Sequence, residues 1–509
     1  MNLAKALVKG SLFRTSHTLI TMIVSFIMMP VLIEGLGDHW YGIWAIVGGF
    51  IGVYYTFDLG VTSAVSRYIS RYLGKDQSDN VNAVINTSIV IFSVLGAGIF
   101  ILSLVISIFS DNFVDSVDDS RLISTLIIIT GLSVALEFPF NSFAGIAEAK
   151  ARYDLIALSR IIILLTSSAF TYYFVISGYG VLSVAIISFC SARLSNLVYL
   201  LIALKQFPKI KFGSRYIKRS TFKELFSFSL WSFAVELTGN LPYRTNPIII
   251  GYFLSASSVT VYVVGQRLVE YSTKFLYQAT NMMTPVFSRY HATGDYEGIR
   301  EKTVLVTRIN AFLGCLAISG LIIFSMPFID RWVGHGYGEA VNVVFVRVFG
   351  TIGIFVFSQV NSVLYAMNRH SIIAKVTLIE GMSLVVLSII LVQYYGIVGI
   401  ALASTIPGLL FRGIVLPALC TKMIELPYLR LVKEVLPVMV FTVVFATLYD
   451  YVLYNYFTVR TFGEILSHSI IYAVIFLLSV AFLFLKDYEW TLLEGVAPVI
   501  KKVRNRRNV

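Results

Sequence analysis

Eight basic residues stand within stretches that otherwise read as hydrocarbon: Arg160, Arg193, Arg244, Arg267, Lys274, Arg308, Arg347 and Arg412. Five acids are set against them, Asp58, Glu137, Glu236, Glu270 and Glu380, while Asp154, Glu339, Glu434, Asp450 and Lys375 stand at or near the ends of such stretches. Seven of the eight bases are arginine, whose planar fork takes phosphate oxygens two at a time. Structural ion pairs account for most of the acids and leave a positive surplus. Such a surplus in a cavity suits an anionic ligand, and the arginine bias points to phosphate or pyrophosphate. One pairing is readable locally. Glu270 follows Arg267 by three residues and precedes Lys274 by four, so the three share a helical face. One carboxylate cannot neutralise both bases.

No catalytic arrangement competes with this reading. The chain lacks H-E-x-x-H, G-x-S-x-G and P-loop patterns, and its six histidines are scattered. Cys190, Cys315 and Cys420 all fall in apolar segments without C-x-x-C spacing, which excludes a zinc site or a disulfide framework. We expect no catalytic residue, no metal and no cofactor, hence a protein that is not an enzyme.

The elements that position these charges belong to a membrane. Of 509 residues, 57% are hydrophobic and only 13% charged, with a mean hydropathy of +0.80. A soluble domain carries about 25% charged residues, so an all-α integral membrane protein is the class that fits. About fourteen segments are long enough to cross a bilayer by the rule of roughly 20 apolar residues. They lie near 15–33, 41–62, 83–109, 122–147, 154–176, 181–204, 225–252, 258–288, 303–326, 339–367, 371–393, 397–421, 434–454 and 465–485. The opening "MNLAKALVKGSLFRTSH" has no cleavage site and reads as a retained first helix. With the N-terminus inside, 29 Lys and Arg fall on inner segments and only Arg121, Arg331 and Arg460 on outer ones. That asymmetry is the positive-inside rule, and it places both termini in the cytoplasm. The net charge of +12 therefore marks cytoplasmic loops and membrane-lipid contact, not nucleic-acid binding.

Two short matches suggest a repeat. "FNSFAGIAEAK" ends span four and "VNSVLYAMNRH" ends span ten; "GYGVLSVAIIS" opens span six and "YYGIVGIALAS" opens span twelve. Six helices per half give both halves one orientation, a parallel pseudo-two-fold repeat of the kind transporters use. The expected domains are an N-terminal six-helix lobe (1–220), a C-terminal six-helix lobe (221–424), an extra helix pair (425–486) and a basic cytoplasmic tail (487–509). Each half opens on a proline-bearing helix, with Pro30 in the first and Pro242 and Pro247 in the second. Proline bends a helix, so these are candidate hinges.

Four stretches carry a family resemblance: "LGDHWYGIWAIV" (36–47), "FDLGVTSAVSRYISRYLGKD" (57–76), "NPIIIGYFLSASSVTVYVVGQRL" (246–268) and "YGIVGIALAS" (395–404). In them the chain resembles the polysaccharide transporters of the multidrug/oligosaccharidyl-lipid/polysaccharide flippase superfamily. The resemblance implies two six-helix lobes around a cavity that opens alternately to either side of a bacterial cytoplasmic (inner) membrane. It implies a lipid-linked oligosaccharide substrate, carried on undecaprenyl pyrophosphate to the outer leaflet for O-antigen, capsule or exopolysaccharide assembly. Other polysaccharide assembly proteins become candidate partners.

On that picture Arg244, Arg267 and Lys274 are the leading substrate contacts. Arg14 receives the head group at the cytoplasmic mouth, and Arg193 and Arg347 guide the glycan. Glu236 and Glu270, with Asp58 behind them, are candidate ion-coupling or gating acids, because neutralisation of a deep acid is energetically plausible. Asp58 has a structural reading too: it caps the helix bearing Arg67 and Arg71, or bridges to a lobe partner. Arg160, Arg308 and Arg412 lie near enough to the inner surface to snorkel. Cation or drug antiporters of the same superfamily need buried acids, which the positive balance disfavours. A lipid II flippase shares the anionic substrate class, but the arginine-rich opening of that group is missing. A membrane oligosaccharide polymerase or glycosyltransferase would display a large outer loop, and the longest here runs about ten residues.

Overall fold

The computed structural model describes residues 3–490 except 115, 151, 281, 282, 458 and 488; within its helices the side chains of 3–11, 14, 227–243 and 275–280 fall outside the description. The described residues form helices and turns with no strand. Ten helical segments are long and apolar enough to cross a membrane, so the chain is a multi-pass membrane protein. A lipid interior forces this choice, since a helix satisfies every backbone group within itself.

The chain divides into two compact units. The first comprises 1–263 and 377–403, the second 264–376 and 404–509. The first opens with α1 (Leu3–Thr56), 54 helical residues interrupted at Gly37, whose φ of 79° lies in the left-handed region. A straight helix of that length would run about 80 Å at 1.5 Å per residue, against a hydrocarbon core of about 30 Å. The break is therefore obligatory, and glycine tolerates it. The second span, expected to reach residue 62, stops earlier. Leu59 and Gly60 turn left-handed at φ 52° and 75°, and α2 (Val61–Leu73) starts afresh. This amphipathic helix buries Val61, Ala64, Val65 and Ile69. At its far end the Tyr72 hydroxyl donates to Glu224 across 3.2 Å. Burial and then that carboxylate hold the hydroxyl above the ordinary phenol range.

Helices α3 (Ser78–Ile108) and α4 (Val117–Glu137) pack closely together, with α5 (Asn141–Ala149), α6 (Tyr153–Ile176), α7 (Gly180–Gln206) and α8 (Arg219–Phe253) completing most of the first unit. The start of α4 is capped by Ser116, whose hydroxyl accepts from the Asp119 amide. The basic loop after α7 is tied down by Asn82 and Asn86 of α3. Their side-chain oxygens accept from the amides of Lys211 and Gly213, and their amide groups donate to the carbonyls of Lys209 and Lys211.

The chain then runs through α9 (Ala256–Thr280), α10 (Thr284–Ala292), α11 (Tyr296–Trp332), α12 (Gly338–Val356), α13 (Gln359–Ala366) and α14 (His370–Pro407). Helix α14 is broken at Gly396, where φ is 56°. A π-helical stretch (Gly408–Val415), α15 (Leu416–Met423), α16 (Tyr428–Tyr456) and α17 (Phe462–Phe484) follow. An aromatic core of Phe445, Tyr449, Tyr472 and Phe476 welds α16 to α17, and the Tyr472 hydroxyl donates to Ser319 of α11 across 2.6 Å. The segments "FNSFAGIAEAK" and "VNSVLYAMNRH" take similar local forms, as short helices α5 and α13 after a break. In each a buried serine meets another hydroxyl: Ser142 with Ser88 at 2.8 Å, Ser362 with Thr284 at 3.0 Å.

Candidate functional site

The resemblance-bearing stretches turn out to make joints within the first unit. Gly37 breaks α1, the Asp38 carbonyl accepts from Thr260 Oγ1 at 2.6 Å, and Gly42 faces the Ala256 backbone. "LGDHWYG" and "SASSVTVY" thus meet each other. Asn246 donates to the Tyr262 hydroxyl across 2.8 Å, a contact inside one motif. Asp58 holds the start of α2, accepting from Thr62 Oγ1 at 2.7 Å and from the Thr62 amide at 3.4 Å. That is the capping geometry, in which a carboxylate meets the positive end of a helix.

In the first unit, Arg244 of α8 donates to the Gly52 carbonyl, and its side chain lies against Gly52 so closely that any Cβ there would collide. Glycine at 52 makes the room. Arg193 sits on α7, half-buried, donating to the Ser133 carbonyl of α4 at 2.6 Å with its guanidinium over the Phe189 ring. Close by, the Tyr55 hydroxyl donates to Glu137 across 2.8 Å. Arg160 is exposed and donates to the Tyr199 hydroxyl at 2.6 Å.

The second unit brings Arg267, Glu270 and Lys274 together on α9. Glu270 takes both bases, Arg267 at 3.0 Å and Lys274 at 2.6 Å. The acid is more enclosed than either base: its side chain is 28% exposed, theirs 44% and 53%. One carboxylate thus bridges two bases on a single helical face. Arg347 lies half-buried on α12. Glu380, on α14 in the first unit, is buried. Pro30 lies within α1, but the backbone leaves helical geometry seven residues later, at Gly37. Pro247 is buried in α8. The side chains of Arg14, Glu236 and Pro242 lie outside the described residues.

Arg308 overturns one expectation. It does not snorkel: its side chain is 5% exposed and ends in a cluster of charges. Its guanidinium donates to Glu489 at 2.7 and 3.0 Å, to Glu434 of α16, and to the Phe484 carbonyl at 2.6 Å. Lys486 bridges to the same Glu434 at 2.7 Å. Two bases and two acids thus lock the end of α17 and the segment after it to α11 and α16. Four of its five N–H donors are thus engaged within the protein. Among the described residues no group of three His, Cys, Asp or Glu is placed to hold a metal ion.

These kinked hydrophobic helices with arginines set inside them form a multi-pass membrane fold. Solved structures agree. The chain matches "Lipid II flippase MurJ, inward closed conformation" with a TM-score of 0.72 at 18% identity, over 92% of this chain and 98% of that one. An inward-facing multidrug resistance MATE family transporter of the MOP superfamily gives 0.62 at 14% identity, over 81% and 96%.

Residues 7–291 match the model of the polysaccharide biosynthesis protein family, and the chain belongs to that family. It is 22% identical to the "Putative O-antigen transporter" of Shigella flexneri, over 79% of this chain and 94% of that one. It is equally similar, 22% identical over 78% and 80%, to the "Uncharacterized membrane protein EpsK" of Bacillus subtilis. A 24% identical match covers 37% of this chain and 41% of a "Probable low-salt glycan biosynthesis flippase" of Haloferax volcanii.

Proposed function

We propose that this protein is a flippase, a transporter and not an enzyme. It moves an undecaprenyl-pyrophosphate-linked oligosaccharide from the inner to the outer leaflet by alternating access, for surface polysaccharide assembly. The observation that carries the reading is membership in the polysaccharide biosynthesis family by a multi-pass membrane chain with arginines set inside its helices. The names of the relatives, an O-antigen transporter and a glycan biosynthesis flippase, support it.

In this reading the breaks at Gly37 and Gly396 each separate two crossings, and α8 and α9 add one crossing each to the ten apolar segments. The chain then makes fourteen passes, as two six-helix lobes (1–220 and 221–424) and an extra pair (425–486), with both termini cytoplasmic in a bacterial inner membrane. Arg244, Arg267 and Lys274 meet the pyrophosphate, Arg14 receives it first, and Arg193 and Arg347 face the glycan. Glu236 and Glu270, with Asp58 behind them, are the acids through which an ion gradient acts. Pro30, Pro242 and Pro247 supply the bends, and other assembly proteins receive the product.

The direct test is reconstitution. Purified protein in liposomes should make a labelled lipid-linked oligosaccharide accessible to an external lectin or oxidant, and should restore surface polysaccharide to a strain lacking its own flippase. Failure in both assays, with protein present in the membrane at normal levels, rejects the reading.

A further inference from the structure

We infer that Arg193 and Asn196 form a mid-membrane site for sugar oxygens, with the carboxylate of an acidic sugar as its preferred ligand. This rests on the flippase reading and deepens it, by naming the chemistry of the glycan carried.

Arg193 stands at the midpoint of α7, thirteen residues from either end of Gly180–Gln206. At 1.5 Å per residue that is about 20 Å of helix on each side, too far for the side chain to snorkel to an interface. Asn196, one turn further along the same face, is 3% exposed. Each carries a buried nitrogen without a hydrogen-bond partner, Arg193 Nε and Asn196 Nδ2. Both are donors and neither can accept. Unpaired donors are costly anywhere in a protein and most costly at the centre of a bilayer. A ligand rich in acceptor oxygens relieves both.

The groups around them favour an anion over a neutral hydroxyl. The charged and titratable groups that act on Arg193 are Glu137 on α4 and Tyr55 on α1, and Glu137 also faces Arg160 on α6. Glu137 is the one acid among them. One of its oxygens is taken by the Tyr55 hydroxyl, and it makes no ion pair with Arg193 within 4 Å. Arg160 is held by Tyr199. Two guanidiniums therefore face one carboxylate. A second carboxylate, brought by the ligand, balances the charge and fills the empty donors. Tyr55, 38% exposed, leaves the cluster open on one side. Substrate sites of transporters lie near the midplane, where this one does.

The test compares two substrates in proteoliposomes: a lipid-linked oligosaccharide bearing a uronic acid, and the same compound with its carboxyl reduced to an alcohol. The native protein should move the acidic compound about tenfold faster, the usual worth of one charge-assisted hydrogen bond. Arg193→Gln should slow both compounds, the acidic one more, so that the preference between them disappears. Arg193→Lys, which keeps the charge and loses the fork, should retain only part of it at equal membrane abundance. Glu137→Gln should raise the preference by deleting the competing carboxylate. Equal rates for the two compounds in the native protein, or an undiminished preference in Arg193→Lys, would overturn the site and leave its donors to water. If neither compound moves, the flippase reading itself falls, an outcome separate from the first.

Discussion

Gly42 lies so close to Ala256 that a methyl group added to it would sit 1.8 Å from the Ala256 carbonyl oxygen. Backbone on backbone at this distance cannot be relieved by turning a side chain. Gly42→Ala should therefore push α1 away from α9, an overpacking cost of about 1–3 kcal/mol. Gly48→Ala, on the same helix with nothing within 4 Å, should be silent. Quantitative immunoblots of membrane fractions and thermal midpoints in detergent compare the two. Equal abundance and equal midpoints would contradict the contact.

The Arg308 cluster makes a second prediction. Arg308→Met should remove one base and leave Glu489, which is 4% exposed, without the guanidinium, though the Lys486 amide still donates to it. Breaking a buried pair in this way costs about 3–5 kcal/mol. Glu489→Gln should cost less, because Glu434 still holds the guanidinium and Gln can accept from it. The ordering of thermal midpoints, native above Glu489→Gln above Arg308→Met, is the readout. A reversed order would show that the cluster is held mainly through the acid.

The third prediction separates ligand binding from structure on α9. Arg267→Ala should stop flipping while membrane abundance stays near normal, since a half-exposed pair contributes about 0–1 kcal/mol to stability. Losing a phosphate contact instead costs about 1.5–3 kcal/mol, or ten- to a hundredfold in affinity. Arg267→Lys should restore part of the activity, because charge remains and the fork is lost. Suppose instead that abundance falls in Arg267→Ala and returns in the Arg267→Ala, Glu270→Gln double variant. The pair would then be structural and the contact role wrong.

Topology gives the fourth. Single cysteines at Ser116 and Ser214 should label from opposite sides, the first from outside and the second from the cytoplasm. Both positions are exposed. Ser116→Cys also weakens the cap on Asp119, so Asn112, exposed in the same loop, serves as a second outside reporter. Labelling of all three from one face would break the span assignment.

Hydropathy made most of the helices legible, because the bilayer demands long apolar runs and helices to carry them. The Arg267–Glu270–Lys274 set was equally readable, its spacing fixed by the turn of one helix. Arg308 was not. Its partners stand 126 and 181 residues away, and Glu434 sits at the very start of an expected span, where an acid passes for an interface residue. Tyr55 and Asn196 escaped notice for a different reason. An uncharged polar side chain gives little signal in a hydropathy count, although Asn196 follows Arg193 at the spacing of one turn. The resemblance-bearing motifs were visible, and so was the place of Asp58 at the start of α2; the work of Gly37 and Gly42 was not, because they matter through backbone geometry, which composition does not reveal.

Gly37 also bears on how the chain is made. A single residue joins the two halves of α1, so no slack exists for one half to settle in lipid while the other waits in the ribosomal tunnel or the aqueous channel. In the fourteen-pass reading the two halves are expected to enter the bilayer as a pair, oriented together by the charges before the first. A longer linker at that position would let each half insert alone. Errors of orientation there would be inherited by every helix synthesised afterwards.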